Sequence, residues 1–123
     1  MFLFAGKPVN KNIELQLLKK VIINKAEFTA NGEVFDVGGA TYKALKTGCP
    51  QRDKKSNGNG ALMRVLPLAF VDCTDDEVRE VSDITHGHWI AKEACVIFVN
   101  TIKRYLSQYC STNRCACRIG IFF

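Results

Sequence analysis

A long amphipathic helix is the strongest pattern in this sequence, because its apolar positions repeat over more residues than those of any other segment. It runs from about residue 87 to 108 and carries an apolar side chain at every fourth position: Ile90, Ala94, Phe98, Ile102 and Leu106. This spacing is typical of a helix with one buried face, which other elements must cover. The predicted solvent side carries charged residues instead, namely Lys92, Glu93, Lys103 and Arg104.

Shorter helical segments precede this long helix. Their apolar spacing and stop signals predict helices at residues 12–26, 42–47, 61–71 and 78–84. Gly48 ends the second of them, and Pro67 is predicted to bend or break the third because proline lacks a backbone donor. The first and last helices have wide apolar faces. If those faces lack neighbours, they predict self-association.

A polar segment rich in glycine, residues 56–60, runs directly into the third predicted helix, and we call it the glycine loop. It reads Ser56-Asn57-Gly58-Asn59-Gly60, and its glycines allow the backbone to approach a ligand with no Cβ in the way. Unpaired amides at a helix start favour an anion, so phosphate or diphosphate is the first ligand to consider. The alternative is an ordinary loop before a core helix.

Met63 and Arg64, which follow the glycine loop, are expected to lie in different environments. Met63 and the neighbouring leucines are expected in the core. Arg64 lies in the same apolar segment, and a buried arginine needs an acidic or phosphate partner.

The segment Thr74-Asp75-Asp76-Glu77 has two interpretations. A hydroxyl and adjacent carboxylates would suit a hard cation such as magnesium. The same residues form a capping box, in which Thr74 caps the helix and Glu77 reaches back to it. Because a helical run begins at once, the sequence favours the cap.

The segment Thr85-His86-Gly87-His88, which we call the histidine joint, separates the last two predicted helices. His86 and His88 could bind a transition metal, contact a polar ligand, or serve as hydrogen-bonding structural groups. No third ligand lies at a recognisable spacing, so the pattern gives little support to zinc.

Composition narrows the class of partner. The net charge of +5 suits an anionic ligand, but basic residues are scattered and no stacking aromatics accompany them, so nucleic-acid binding is not expected. The longest apolar run, residues 65–71, is far too short for a membrane span. The six cysteines lack the spacing of a disulfide framework and no secretory signal precedes them, which predicts reduced thiols and a cytoplasmic location.

The order of the motifs resembles the ADP-ribosylglycohydrolase family from about residue 13 to 108. Three segments carry the resemblance: Phe35-Asp36-Val37-Gly38-Gly39-Ala40-Thr41, the glycine loop followed by Ala61-Leu62-Met63-Arg64, and the histidine joint. The resemblance implies an all-α fold, a partial orthogonal helical bundle, and a hydrolase that releases ADP-ribose from modified side chains at a two-magnesium site. ADP-ribose or an ADP-ribosylated protein is the implied partner.

The resemblance also implies roles for individual residues. Asp36 matches a catalytic position near the scissile bond. The implied ligand-binding set consists of Ser56, Asn57, Gly58, Asn59, Gly60, Met63, His86 and His88.

The family's metal-binding motifs are not found in this sequence, since Thr74-Asp75-Asp76 lies downstream of Asp36 rather than upstream. Magnesium is therefore expected for a complete family domain, with no metal ligand assigned here. The implied division is an N-terminal extension (1–11), a partial ADP-ribosylglycohydrolase domain (12–108) and an unrelated cysteine-rich tail (109–123). Two hypotheses follow: an incomplete, inactive hydrolase chain, or a non-catalytic remnant that acts as a weak ADP-ribose-binding or interaction module.

Overall fold

The structure, a computed structural model, describes residues 10–24, 33 and 37–112. Five α-helices lie in these residues: α1 (Lys11–Leu18), α2 (Gly39–Thr47), α3 (Gly60–Val65), α4 (Asp75–Ser82) and α5 (Trp89–Thr112). A π-helical turn, Lys19–Ile23, continues α1, and 3₁₀ turns occupy Lys54–Ser56 and Leu66–Phe70. The described residues contain no strand beyond isolated bridges, which confirms the all-α class.

The ends of α2, α3 and α4 follow from local sequence. Gly48 takes the left-handed conformation (φ 74°) and donates its N–H to the Ala44 carbonyl at 2.8 Å, which ends α2 as predicted. Pro67 lies in the 3₁₀ turn that follows α3, so the third predicted helix is broken. At α4, Thr74 donates its N–H to Glu77 Oε2 at 2.7 Å and accepts the Glu77 N–H at 3.3 Å. The capping box is therefore confirmed.

The hydrophobic core lies between α3, the Leu66–Phe70 turn, α4 and α5. Its buried members are Ala61, Val65, Leu68, Ala69, Val78, Val81, Cys95, Val96 and Val99. These small and branched side chains let the helices approach closely, and partly buried side chains such as Phe98 and Ile102 pack at the edge. The core thus holds α3 against the helix that precedes the histidine joint and the helix that follows it.

The buried face of α5 differs from the predicted one. Ala91, Cys95 and Val99 are buried, whereas Ile90 is 39% exposed. Phe98 and Ile102 of the predicted stripe pack against the edge of the core, but its centre is formed by the neighbouring stripe of the same helix. The true core stripe begins one residue later. α5 also reaches Thr112 instead of ending near residue 108.

Met63 is the second correction. It is 68% exposed, so the expectation that it belongs to the core is wrong. The short α3 turns Ala61 and Val65 into the core, and Met63 lies on the opposite side. Among the described residues, no helix combines the length and apolar character needed to cross a membrane.

Candidate functional site

The histidine joint is fixed by backbone hydrogen bonds to the chain that precedes the glycine loop. Gln51 donates its N–H to the Thr85 carbonyl at 2.9 Å, and Gly87 donates its N–H to the Gln51 carbonyl at 2.8 Å. These bonds form a parallel bridge between Gln51 and His86. Both histidines are therefore positioned by a segment that lies more than thirty residues earlier in the chain.

Asp83 anchors the joint from the other side. Its carboxylate lies 2.8 Å from Lys11 Nζ, 2.7 Å from Lys92 Nζ and 3.6 Å from an Arg52 nitrogen. Burial acts to raise the pKa of Asp83, but the hydrogen-bonded ammonium groups of Lys11 and Lys92 outweigh it and lower the pKa overall. A Cβ at Gly87 would lie 3.0 Å from Pro50 Cβ and 3.1 Å from Asp83 Oδ1, closer than side chains normally pack, so glycine fits best where the joint passes this carboxylate.

Gly60 brings the glycine loop into close contact with His86. A Cβ added at Gly60 would lie 3.1 Å from Thr41 Oγ1 and 3.2 Å from His86 Cε1, closer than side chains normally pack. At Gly58 the nearest atom to such a Cβ would be His86 Nε2, at 3.9 Å. The distance at Gly58 is ordinary van der Waals contact, so only Gly60 has a packing reason to be glycine: it lets the loop backbone lie directly against the imidazole of His86.

Asn57 connects the same loop to the second histidine. Its Nδ2 lies 3.3 Å from His88 Nδ1 and donates to the Lys54 carbonyl at 3.1 Å. The Ile90 N–H also approaches His88 Nδ1 at 3.3 Å, so that nitrogen faces two donors and acts as the acceptor. Asn57 Oδ1 is buried and has no hydrogen-bond partner in the described part of the chain. It is an acceptor without a donor.

A small pocket lies between the glycine loop and α5, and its volume is about 130 Å³. It is lined by Asn57, Gly58, Asn59, Ala61, Leu62, Ile90, Ala91, Ala94 and Cys95. Small-molecule sites usually enclose about 300–1,000 Å³, so this pocket has room for only one part of a nucleotide.

Ser56 and the start of α3 contribute less than their sequence pattern suggests. The Ser56 hydroxyl donates to Asp53 Oδ2 at 2.7 Å, which occupies its only proton. This hydrogen bond is the main reason why the pKa of Asp53 is lowered. α3 has only six residues, so its helix dipole is a weak basis for anion binding. An anion at this site would depend on the loop's own groups.

His86 is buried and neutral. Its side chain and backbone are 2% exposed, and Thr85 Oγ1 lies 2.7 Å from its Nδ1. Burial lowers the pKa of His86 below its ordinary value of 6.5, and the positive charge of Arg64 lowers it further. His86 is thus held in the uncharged form beside the glycine loop.

Arg64 has the acidic partner that its position predicts. It is 8% exposed, and its Nε lies 3.7 Å from Glu14 Oε1. Its Nη2 donates to Thr85 Oγ1 at 2.6 Å and to the Val81 carbonyl at 3.3 Å. Burial raises the pKa of Glu14, and the charge of Arg64 opposes that rise. Sequence reasoning missed Glu14 because it lies on α1, where a single carboxylate among lysines gives no signal.

The described residues do not fit a dinuclear magnesium site. No group of three or more His, Cys, Asp or Glu side chains among residues 10–24, 33 and 37–112 is placed to hold a metal ion. Asp36, the predicted catalytic carboxylate, lies outside the described residues, as does most of the cysteine-rich tail.

Comparison with known families identifies the fold to which this site belongs. The sequence profile of the ADP-ribosylglycohydrolase family matches residues 10–115, which is most of the chain. The chain belongs to the ADP-ribosylglycohydrolase family. No curated protein and no solved structure shows significant similarity to it. The family match includes the glycine loop, the histidine joint and the Glu14–Arg64 pair.

Proposed function

We propose that this chain recognises ADP-ribose, free or attached to a protein, at the surface formed by the glycine loop and the histidine joint. One observation carries the proposal: Gly58 and Asn59 are exposed, and Gly60 packs so closely on His86 and Thr41 that a Cβ would lie 3.1–3.2 Å from them, so the loop presents its backbone at the surface. An exposed backbone offers amide donors to phosphate oxygens at short range. Membership of the ADP-ribosylglycohydrolase family supports ADP-ribose as the anion.

The other groups at this surface suit the remaining parts of such a ligand. The buried Oδ1 of Asn57 has no donor among the described residues, and a ribose hydroxyl would supply one. Lys54 and Lys55 are exposed next to the loop and attract a diphosphate through solvent. His88 and Met63 complete the proposed binding set at its half-buried and exposed edges.

We propose binding without efficient hydrolysis for this chain. The described residues do not fit a two-metal site, and Asp36 alone supplies too few oxygen ligands to hold two ions and activate water. Both hypotheses expect negligible hydrolysis from this chain, and the binding proposal corresponds to the second of them, a non-catalytic binding module. Asp36 remains the proposed catalytic position for the family reaction.

Calorimetric titration of the full chain with ADP-ribose, with and without magnesium, tests the binding proposal. ADP and ribose 5-phosphate serve as competing ligands, because a generic anion site would bind them equally well. Gly60→Ala should weaken ADP-ribose binding about tenfold, equivalent to about 1.4 kcal/mol, since its methyl group displaces His86 or Thr41. Gly39→Ala is the matched control, because nothing lies within 4 Å of a Cβ at that position.

The fluorescence of Trp89 provides a second measurement of ligand binding. It is the only tryptophan in the chain, and its ring stacks on His88 with centroids 6.0 Å apart. Ligand at the joint should therefore change its fluorescence. Equal affinity for ADP and ADP-ribose, or equal binding by the two glycine variants, would refute the proposed site. Magnesium-dependent release of ADP-ribose from a modified peptide would refute the non-catalytic assignment.

A further inference from the structure

Beyond the ligand surface itself, a series of contacting polar side chains leads from α1 to His86. Glu14 contacts Arg64, Arg64 donates to Thr85, and Thr85 contacts His86. Each group except Glu14 is buried; Glu14 lies on α1 and Arg64 on α3, whereas Thr85 and His86 are adjacent in the histidine joint. Such a series of contacts restricts where each proton can lie, because a buried donor needs an acceptor and a buried acceptor needs a donor.

The direction of the hydrogen bonds can be derived from donor chemistry. A guanidinium has only donors, so Thr85 Oγ1 must accept from Arg64 Nη2, at 2.6 Å. The hydroxyl proton of Thr85 then points elsewhere, and His86 Nδ1 at 2.7 Å is the acceptor that the described residues offer it. If Nδ1 carried a proton, it could donate to the second lone pair of Oγ1, but the buried hydroxyl proton of Thr85 would then have no acceptor among the described residues. Nδ1 is therefore unprotonated.

We infer that Arg64 and Thr85 are positioning residues that fix His86 as the tautomer with its proton on Nε2, so that an N–H donor faces the glycine loop. The ring orientation places Nε2 3.7 Å from the Cβ position of Gly60 and 3.9 Å from that of Gly58. The backbone around the ring holds this orientation, since His86 N–H donates to the Ser82 carbonyl at 2.9 Å and Ser82 Oγ donates to the His86 carbonyl at 3.3 Å.

A fixed donor determines which ligand atom the site takes. Nε2–H selects an acceptor such as a phosphate, carbonyl or ether oxygen, and disfavours an ammonium or another donor. The neutral state of His86 agrees with this role, because a neutral imidazole has one donor and one acceptor whose places the neighbours choose. The function of this donor in ADP-ribose recognition rests on the proposed function, whereas the tautomer itself does not.

Nitrogen-15 NMR of the full chain without ligand tests the tautomer directly. The chain has two histidines, so a His88→Asn variant assigns the signals of His86. The long-range proton–nitrogen correlation of His86 should show a protonated Nε2 and an unprotonated Nδ1. Thr85→Val should move the proton distribution toward Nδ1, and Thr85→Ser should restore it. Thr101→Val is the matched control, because its hydroxyl bonds only to the Ile97 carbonyl on α5.

Protonated Nδ1 in the unmodified chain, or a Val variant with the unmodified proton distribution, would overturn the inference. If Thr85→Val does not fold, the spectrum of the unmodified chain still decides the tautomer. Titration with ADP-ribose forms the second arm: Thr85→Val should bind about tenfold more weakly, and Thr85→Ser should not. Absent binding by the unmodified chain would refute the proposed function and leave the tautomer result standing. Unchanged affinity of the Val variant would refute the positioning role.

Discussion

The Glu14–Arg64 pair gives the most quantitative prediction, because it joins a buried guanidinium to a half-buried carboxylate on a different element. Arg64→Met keeps an unbranched side chain of similar length but removes the guanidinium. It breaks the hydrogen bonds to Thr85 Oγ1 and the Val81 carbonyl and leaves Glu14 without its counter-charge. Removing one partner of a buried pair costs about 3–5 kcal/mol. Since the Glu14 side chain keeps 21% exposure, we expect a loss near the lower end, about 3 kcal/mol.

Urea unfolding followed by far-UV circular dichroism measures this loss as a shift of the midpoint at constant slope. The matched control is Arg104→Met, since Arg104 is exposed on α5, and its effect should stay within about 0.5 kcal/mol. Glu14→Gln and the double variant complete a thermodynamic cycle. The loss of unfolding free energy in the double variant should be smaller than the sum of the two single losses by at least about 1 kcal/mol. The reason is that the second change removes a charge that the first left unpaired.

The pH dependence of the stability of Arg64→Met tests the direction of the predicted effect. The folded-state pKa of Glu14 is already raised above its ordinary value of 4.5, so the folded state binds this proton more tightly than the unfolded state. Without Arg64 the rise is larger. The stability deficit of Arg64→Met should therefore be smaller at acidic pH, where Glu14 is protonated, and grow as the pH rises through the folded-state pKa. Additive single losses, or a deficit independent of pH, would refute the buried-pair reasoning.

Three further predictions concern the cap, the histidine and the exposed helix face. Thr74→Ala should cost about 1 kcal/mol in urea unfolding, because it removes half of the capping box of α4. The lowered pKa of His86 means that the unfolded state takes up a proton first, so the free energy of unfolding should fall as the pH drops below 6.5. The same titration on a His86→Gln variant should lack that step. Ile97 is 66% exposed and Tyr105 61% exposed on α5, so sedimentation should reveal self-association that Ile97→Glu reduces, and a monomer at all concentrations would contradict it.

Local sequence predicted most of the secondary structure, because its signals act within one or two helical turns. The capping box at Thr74 and the left-handed Gly48 need only neighbours three or four residues away. Pro67 likewise acts on its own turn. The buried face of α5 was predicted one residue out of place, since the apolar residues surround much of that helix and only its neighbours decide which side is covered.

The sequence by itself determined an all-α chain of the ADP-ribosylglycohydrolase family, with a glycine loop and a histidine joint as the candidate site. Only the tertiary structure decided how the parts of that site act on one another. It brought Glu14 to Arg64, Arg64 to Thr85, and His86 against Gly60, and it left Met63 exposed. The physical reason is the sequence distance over which each interaction acts. Caps and turns depend on adjacent residues. Buried charge pairs and close backbone contacts join residues that are far apart in the sequence, and no repeating pattern in the sequence marks them.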